Sequence, residues 1–353
     1  MTQPTWPEIL TTALSGEDLT VSQAEWAMRQ VMRGEATDAQ LGGLLMALRA
    51  KGEAVTEVIG FRDAILDAAV PLPVDSNVLD IVGTGGDRYG TVNISSTASI
   101  IVAACDIPVV KHGNRAVSSK AGSSDVLSAL GIDLRLSPEG VARVLDEAGI
   151  TFAWAAAFHP GFKHAAGVRA ELGVPTAFNF LGPLVNPARA EANAVGVASL
   201  DIVPIITGVF RTRGATALVF RGEDGLDELT TTGYSRIWQV ANGDMHEFDI
   251  HPRDLGIPTA QMDDLIGGSP EENADTLRRT LAGERGEVRD IVLLNAAAGI
   301  VAYRLSQDPA QADRNMIQRL TEARDEAAAA IDDGRATAKL EAWIAASTGA
   351  GAA

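Results

Sequence analysis

Asp80 to Ser99 reads DIVGTGGDRYGTVNISSTAS, with Gly83, Gly85 and Gly86 behind a short apolar run and a string of hydroxyls after them. Glycine loses more freedom on folding than any other residue, so backbone this bare is costly to order. Leaving a strand and entering a helix at Asn93 to Ala104, such a loop aims free N–H groups and the positive helix end at an anion. The three glycines would let the backbone close on a phosphate group, although a plain tight turn fits the same residues. The stretch is neither a dinucleotide fingerprint nor a Walker loop, because no Gly-Lys-Ser/Thr follows.

Three further stretches carry chemistry. KHGNRAVSSKAGSSD, Lys111 to Asp125, overlaps a run from Ile107 to Ser124 that has no acidic residue yet holds Lys111, Arg115 and Lys120. At a strand end and rich in glycine and serine, it reads as a second phosphate cradle or as a solvated basic loop. Thr151 to Ala170 is also free of acids and holds His159, Lys163, His164 and Arg169 among aromatic and small apolar residues. That mixture suits a flat organic anion, or ordinary core with a helix that exposes its cations. GEDGLDEL gathers Glu223, Asp224, Asp227 and Glu228 after the strand-like ALVFR. Clustered hard oxygens suit Mg²⁺, which takes a carboxylate or two together with phosphate and water; an acidic surface turn is the competing reading. Taken together, two phosphate cradles, a basic island and a carboxylate pair point to a Mg²⁺–phosphate substrate.

The elements that must position these residues are legible as patterns. SQAE (Ser22 to Glu25) and TDAQ (Thr37 to Gln40) each predict a capping box opening a helix. Leu41, Leu44, Leu45 and Leu48 recur at i, i+3, i+4, i+7, and a third helical segment spans Thr56 to Ala69. From Val78 the texture becomes α/β: VLDIV, IPVVK, ITFAWA, AVGVA and ALVFRG read as strands, with helices at Ser124–Leu130 and Pro138–Ala148 between some of them. That order predicts a mostly parallel sheet covered by helices. RIWQV and MHEFDI, joined by ANGD, predict a hairpin with an Asn-Gly turn that puts His246 and His251 on the surface. From about Glu271 the chain reads as helical, ending in a disordered STGAGAA.

Composition bounds the possibilities. The 353 residues carry 46 acidic and 29 basic side chains, a formal charge of −17, with 46% hydrophobic content. A chain this acidic is a poor general binder of nucleic acid or anionic membrane. Cys105 is the single cysteine, a small apolar filler that fits a reducing cytoplasm. No secretory signal and no uncharged apolar run of membrane-spanning length is visible.

The ordered pieces GTGGD, NIS, KHGNRAVSS with GSSD, HPGFKHAAGVRAELG, FNFLGPLVNPA and DGLDEL, from about residue 80 to 230, resemble the anthranilate phosphoribosyltransferase family. The resemblance implies a small all-helical lobe (1–72, completed by helices near 163–190), an α/β lobe (73–347) with a central mostly parallel sheet, and a flexible tail (348–353). That is the nucleoside phosphorylase/phosphoribosyltransferase fold, usually a homodimer joined through the helical lobes. It implies transfer of a 5-phosphoribosyl group from 5-phosphoribosyl 1-diphosphate to the amine of anthranilate, in tryptophan biosynthesis in the cytoplasm, with Mg²⁺. By motif, Gly83, Gly85, Gly86, Asp87, Thr91, Asn93, Ser95, Lys111 and Ser123 would hold the phosphoribosyl diphosphate. Gly83, His112, Asn114, His159 and Arg169 would line the anthranilate path, with Gly182 nearby. Ser95, Asp227 and Glu228 would serve the metal.

The chain departs from the family pattern at Ser96 (NISS for NIST), Ser124 (GSSD for GSAD), Pro175 (where many members have arginine) and Gly167 (where many have proline). The last two touch the anthranilate side. The alternatives are a pyrimidine nucleoside phosphorylase of the same fold and a non-catalytic relative that binds nucleic acid, against which the charge of −17 weighs.

Overall fold

The computed structural model describes residues 3–114 and 121–350. Arg115 and Lys120 of the basic stretch lie outside the described residues.

Four helices come first: α1 (Trp6–Leu14), α2 (Val21–Met32), α3 (Asp38–Lys51) and α4 (Val55–Asp67). The Thr37–Gln40 box forms as read, with the Thr37 N–H donating to Gln40 Oε1 (2.9 Å) and the Gln40 N–H to Thr37 Oγ1 (3.2 Å). The box expected at Ser22 sits two residues earlier. Thr20 is the extended residue before α2 and exchanges hydrogen bonds with Gln23, which leaves Ser22 already inside the helix. Leu41, Leu44, Leu45 and Leu48 are buried, so the stripe on α3 faces the core.

The α/β lobe follows. β1 (Leu79–Gly83), α5 (Ile94–Ala103), β2 (Val109–Gly113), α6 (Ser123–Ala129), α7 (Pro138–Ala148) and β3 (Ile150–Trp154) build one half of the sheet. After α8 (Ala155–Phe158) and α9 (Lys163–Leu172), β4 (Ala192–Gly196), α10 (Val203–Arg213) and β5 (Thr216–Gly222) build the other. β6 (Ser235–Ala241) and β7 (Asp244–Ile250) form the expected hairpin, with Asn242 (φ +53°) and Gly243 (φ +82°) both left-handed at its turn. Helices α11 (Pro270–Leu281), α12 (Glu287–Gln307), α13 (Met316–Asp332) and α14 (Arg335–Ala350) close the chain. The segment expected to be disordered therefore stays helical through Ala350. Ser347 is fully buried there, and its Oγ accepts the Asp133 N–H at 3.1 Å.

Among the described residues the strands form one sheet in the order β3-β2-β1-β4-β5-β6-β7. The first five are parallel and the hairpin adds two antiparallel members. The chain winds outward from β1 to β2 and β3, then returns to lay β4 on the other side of β1. A parallel sheet opens a crevice at such a reversal, outside the carboxyl ends of its strands. Here that crevice lies over Gly83 of β1 and Gly196 of β4, which are in register.

One apolar cluster fills the sheet face beneath α5 and α11–α14. Another runs from α1–α4 through Phe178, Phe180 and Leu181 to α10 and the opposite face of β4 and β5, so the helical lobe is packed directly onto the sheet. No helix among the described residues is long and apolar enough to cross a membrane.

Helices α2 and α4 cross at Gly60, where an added Cβ would lie 2.4 Å from the Val21 carbonyl oxygen and 2.7 Å from the Glu25 nitrogen. Backbone cannot yield as a side chain can, and overpacking of this kind costs about 1–3 kcal/mol. Gly60→Ala should therefore lower the melting temperature despite alanine's better helix propensity. An unchanged melt would show that the two helices can separate freely.

Candidate active site

The crevice is built on missing side chains. A Cβ on Gly83 would lie 2.2 Å from Asp227 Oδ2, and one on Gly196 would lie 1.7 Å from the Asp227 carbonyl oxygen. Asp227 is thus seated on the carboxyl ends of two adjacent strands. The loop leaving β1 is fastened to the same place: the Thr84 N–H donates to Gly196 O (2.9 Å) and the Gly85 N–H to Asp227 Oδ2 (2.7 Å). Gly85 (φ +71°) and Gly86 (φ +90°) are left-handed, with open space where a Cβ would point. Their backbone is bare because of the turn it makes as well as the room it leaves.

Asp87, Asp227 and Glu228 converge at this point. Loss of solvent pushes the Asp227 carboxyl up to about 7, with the Asp87 charge as the next cause. Glu228 is held well above its ordinary range by loss of solvent first and by Asp227 second, and it accepts the Ser95 N–H in the first turn of α5. Asp87 is raised by loss of solvent and shares a hydrogen bond with Asp227. Carboxylates driven toward their protonated forms in this way want a cation.

Lys111, on β2, is fully buried beneath them. Its ammonium donates to the Ile81 carbonyl and to Ser95 Oγ (3.2 Å). Burial lowers its pKa, opposed by Asp80, Glu228 and Asp227. Asp80 is buried within β1 and raised to about 6 by burial, against the pull of Lys111; its Oδ1 accepts the His112 N–H (3.1 Å). Asp80 was not expected in the site, although a carboxylate inside an apolar strand was the signal that could have found it.

Other expected residues frame the crevice. Asn93 is a strut: its amide nitrogen donates to Ala121 O (3.3 Å), and its oxygen accepts from Asn273 Nδ2 (2.9 Å). It ties the glycine-rich loop to the turn before Ser123, which opens α6 beside Gly113. Thr91 makes a backbone bridge with Ile266. Of the four clustered carboxylates, Asp224 is internal to its turn, accepting from the Leu226 N–H and from the Thr230 and Thr232 hydroxyls, and Glu223 is exposed.

On the acceptor side, Asn114 directly follows β2, and His112 and His159 meet edge to face at 5.2 Å. His159 stacks on Phe162 (5.2 Å), and Phe162 meets Phe178 edge to face (5.8 Å). The Arg169 guanidinium lies over Phe178 at 5.2 Å. His112 Nδ1 is 3.1 Å from the Gly182 carbonyl oxygen. Arg169 is half-buried, loss of solvent alone lowers its pKa, and no carboxylate among the described residues pairs with it. The Phe162 and Phe178 steps were not read from the sequence. Gly167, on α9, faces open space, so the position tolerates its missing side chain.

Among the described residues no three His, Cys, Asp or Glu side chains are placed to ligate one metal ion. A divalent cation here would therefore take one or two carboxylates and draw its remaining oxygens from phosphate and water, which is how Mg²⁺ binds.

Comparison with known proteins agrees with this geometry. A model described as the glycosyl transferase family, helical bundle domain, matches residues 7–69, and one described as the a/b domain of that family matches residues 75–337. Anthranilate phosphoribosyltransferase of Leifsonia xyli subsp. xyli is 63% identical over 97% of this chain and 98% of its own length. The crystal structure of the Thermus thermophilus enzyme superposes with a TM-score of 0.87 at 41% identity, covering 96% of this chain and 99% of that one. The Saccharomyces cerevisiae enzyme, solved in complex with PRPP and Mg, superposes with a TM-score of 0.86 at 26% identity over 99% of both chains.

Burial pushes His112 down to about 3 and His159 down to about 4. Both are neutral when folded, whereas unfolded histidine takes a proton near 6.5. The unfolded state then binds more protons, so their contribution to stability is complete above about pH 6.5 and is lost as pH falls toward 4. His159→Phe should flatten the fall in stability between pH 6.5 and 4.5, measured by denaturant melts. Identical slopes in the two proteins would show that His159 takes up its proton equally in the folded and unfolded states.

Proposed function

The chain belongs to the anthranilate phosphoribosyltransferase family, and from that premise we propose how its own residues carry the reaction. The enzyme transfers the 5-phosphoribosyl group from 5-phosphoribosyl 1-diphosphate to the amine of anthranilate, giving N-(5-phosphoribosyl)anthranilate and diphosphate in tryptophan biosynthesis, and it uses Mg²⁺. The observation that carries the assignment of roles is the convergence of Asp87, Asp227 and Glu228 on a glycine-rich loop above buried Lys111.

Departure of diphosphate leaves an oxocarbenium-like sugar, so the main demand is to stabilise the leaving charge. Bound Mg²⁺ supplies positive charge to that diphosphate. Asp227 and Glu228, with Ser95 beside them, would hold the ion. The loop from Gly83 to Asp87 offers backbone N–H groups to phosphate, with Thr91, Asn93 and Ser123 shaping its far side. Lys111 places its ammonium under the cluster. Its charge favours the ionised forms of Glu228 and Asp80 from beneath, which is how it would serve the diphosphate's site.

The attacking amine of anthranilate is already neutral near pH 7, so no strong base is required. The depressed pKa values of His112 and His159 support a neutral aromatic wall for its ring, lined further by Gly83 and Asn114. Arg169, held over Phe178 and free of carboxylate partners among the described residues, suits the anthranilate carboxylate. An arginine fork can donate two charge-assisted bonds to one carboxylate.

We further propose that the helical lobe comprises residues 1–72 with the segment near 163–190, and the α/β lobe residues 73–347. The packing of Ala165, Val168, Phe178 and Leu181 into the apolar cluster of α1–α4 supports this division. Pairing of two copies through the helical lobes, in the cytoplasm, is part of the same proposal. Leu14, 76% exposed at the end of α1, is one apolar side chain that such pairing would cover. Light scattering after gel filtration reads the oligomeric state.

The functional test is the loss of anthranilate fluorescence, dependent on both 5-phosphoribosyl 1-diphosphate and Mg²⁺. A hydrogen bond to a charged group contributes roughly 1.5–3 kcal/mol. Arg169→Ala should therefore weaken anthranilate use about 10- to 150-fold while leaving the KM for 5-phosphoribosyl 1-diphosphate nearly constant. If both KM values move together, or neither does, Arg169 is not the acceptor anchor.

A further inference from the structure

The loop that carries Asp87 cannot hold its own shape. Four of the six residues from Gly85 to Gly90 are left-handed, including the non-glycine Arg88 at φ +65°. Glycine-rich backbone gains most from unfolding locally, and an arginine in this region is strained. External ties must therefore fix the loop. At its start the Gly85 N–H donates to Asp227, and at its end the Gly90 carbonyl accepts the Gly267 N–H (2.9 Å).

Between those ties stands Tyr89. Its hydroxyl donates to the Asp224 carbonyl oxygen (2.5 Å), and its backbone N–H donates to Asp87 Oδ1 (3.3 Å). The ring also covers Gly225, whose missing Cβ would lie 3.7–3.8 Å from it. Asp224 is a rigid post for this purpose. Its carboxylate is consumed inside its own turn by the Leu226 N–H (3.0 Å) and by the Thr230 and Thr232 hydroxyls (2.6 Å each). Three residues further on comes Asp227, then Glu228. One phenol therefore joins the loop bearing Asp87 to the loop bearing the other two carboxylates.

We propose that Tyr89 is a positioning residue for the diphosphate–Mg²⁺ part of the substrate, because its hydroxyl sets the separation between Asp87 on one loop and Asp227 with Glu228 on the other. The inference rests on the assignment of this cluster to a metal-bound diphosphate. Tyr89 has its hydroxyl committed to the Asp224 carbonyl, so its effect passes through Asp87 and the backbone of the loop. It is also 37% exposed, so the Asp224 carbonyl can take up water when the hydroxyl is removed. Loss of the hydroxyl should leave the fold intact and fall on ligand grip.

Tyr89→Phe is the test, read by steady-state kinetics, by thermal melts and by calorimetric binding of inorganic diphosphate with Mg²⁺. A single neutral hydrogen bond corresponds to about a 2- to 10-fold effect. The KM for 5-phosphoribosyl 1-diphosphate and the Mg²⁺ concentration for half-activation should rise by that factor, and diphosphate binding should weaken in parallel. The KM for anthranilate, kcat and the melting temperature should stay essentially constant. Unchanged diphosphate binding and Mg²⁺ dependence would overturn the proposal, as would a fall in melting temperature with no change in either. A wild-type protein that binds no diphosphate with Mg²⁺ would overturn the assignment of the cluster itself, whereas normal wild-type binding that Tyr89→Phe leaves unaltered would overturn only the role of Tyr89.

Discussion

Asp227 can stand at the reversal point of the sheet only because Gly83 and Gly196 have no side chains. A single carbon on either would fall within 2.2 Å or 1.7 Å of it. Everything else in the site is referred to that seat. The carbonyl of Asp227 rests on β4, and its carboxylate fixes the Gly85 N–H in the loop leaving β1. The winding order makes this possible, since β4 returns to β1 after the chain has gone out through β2 and β3. Fold topology thus supplies the crevice, and two glycines supply the clearance that lets a carboxylate occupy it.

Charge is arranged around the same point with opposing signs at different depths. Lys111 lies at the bottom and is destabilised in its charged form by burial, while Asp80 beside it is pushed toward neutrality. Above them burial raises all three carboxyls, Asp87 raises Asp227 further, and both raise Glu228. Each group alone would be an unfavourable buried charge. Together they would form a site whose unfavourable terms a divalent cation with a polyphosphate relieves. This also explains how a chain of charge −17 can recognise an anionic substrate. A metal held by these carboxylates would reverse the local sign where the overall field repels.

Much of this was legible in the sequence, for reasons that differ from residue to residue. GTGGD and DGLDEL stood out as bare backbone and paired carboxylates at strand ends, each equally open to a plain-turn reading until the family resemblance gave them roles. The helices and the Asn-Gly hairpin followed from short-range patterns. What escaped was long-range. Tyr89 meets Asp224 across 135 positions and Gly85 meets Asp227 across 142, and no local pattern encodes either contact. Asp80 looked like part of a strand, and only the fold shows that its carboxylate faces Lys111 and His112. Two local readings also failed locally. The cap of α2 fell to Thr20 because extended backbone there left Ser22 inside the helix, and the small residues of the tail continued α14 because Ser347 is buried against Asp133.

The central claim is that Asp227 and Glu228 bring the cation to the diphosphate at the switch point. Calorimetric titration of 5-phosphoribosyl 1-diphosphate, with and without Mg²⁺, measures it directly in the wild type and in the Asp227→Asn, Glu228→Gln double variant. Mg²⁺ should strengthen binding to the wild type and make little difference to the folded double variant. If Mg²⁺ strengthens binding equally in both proteins, the cation is held elsewhere and the carboxylate cluster has another purpose.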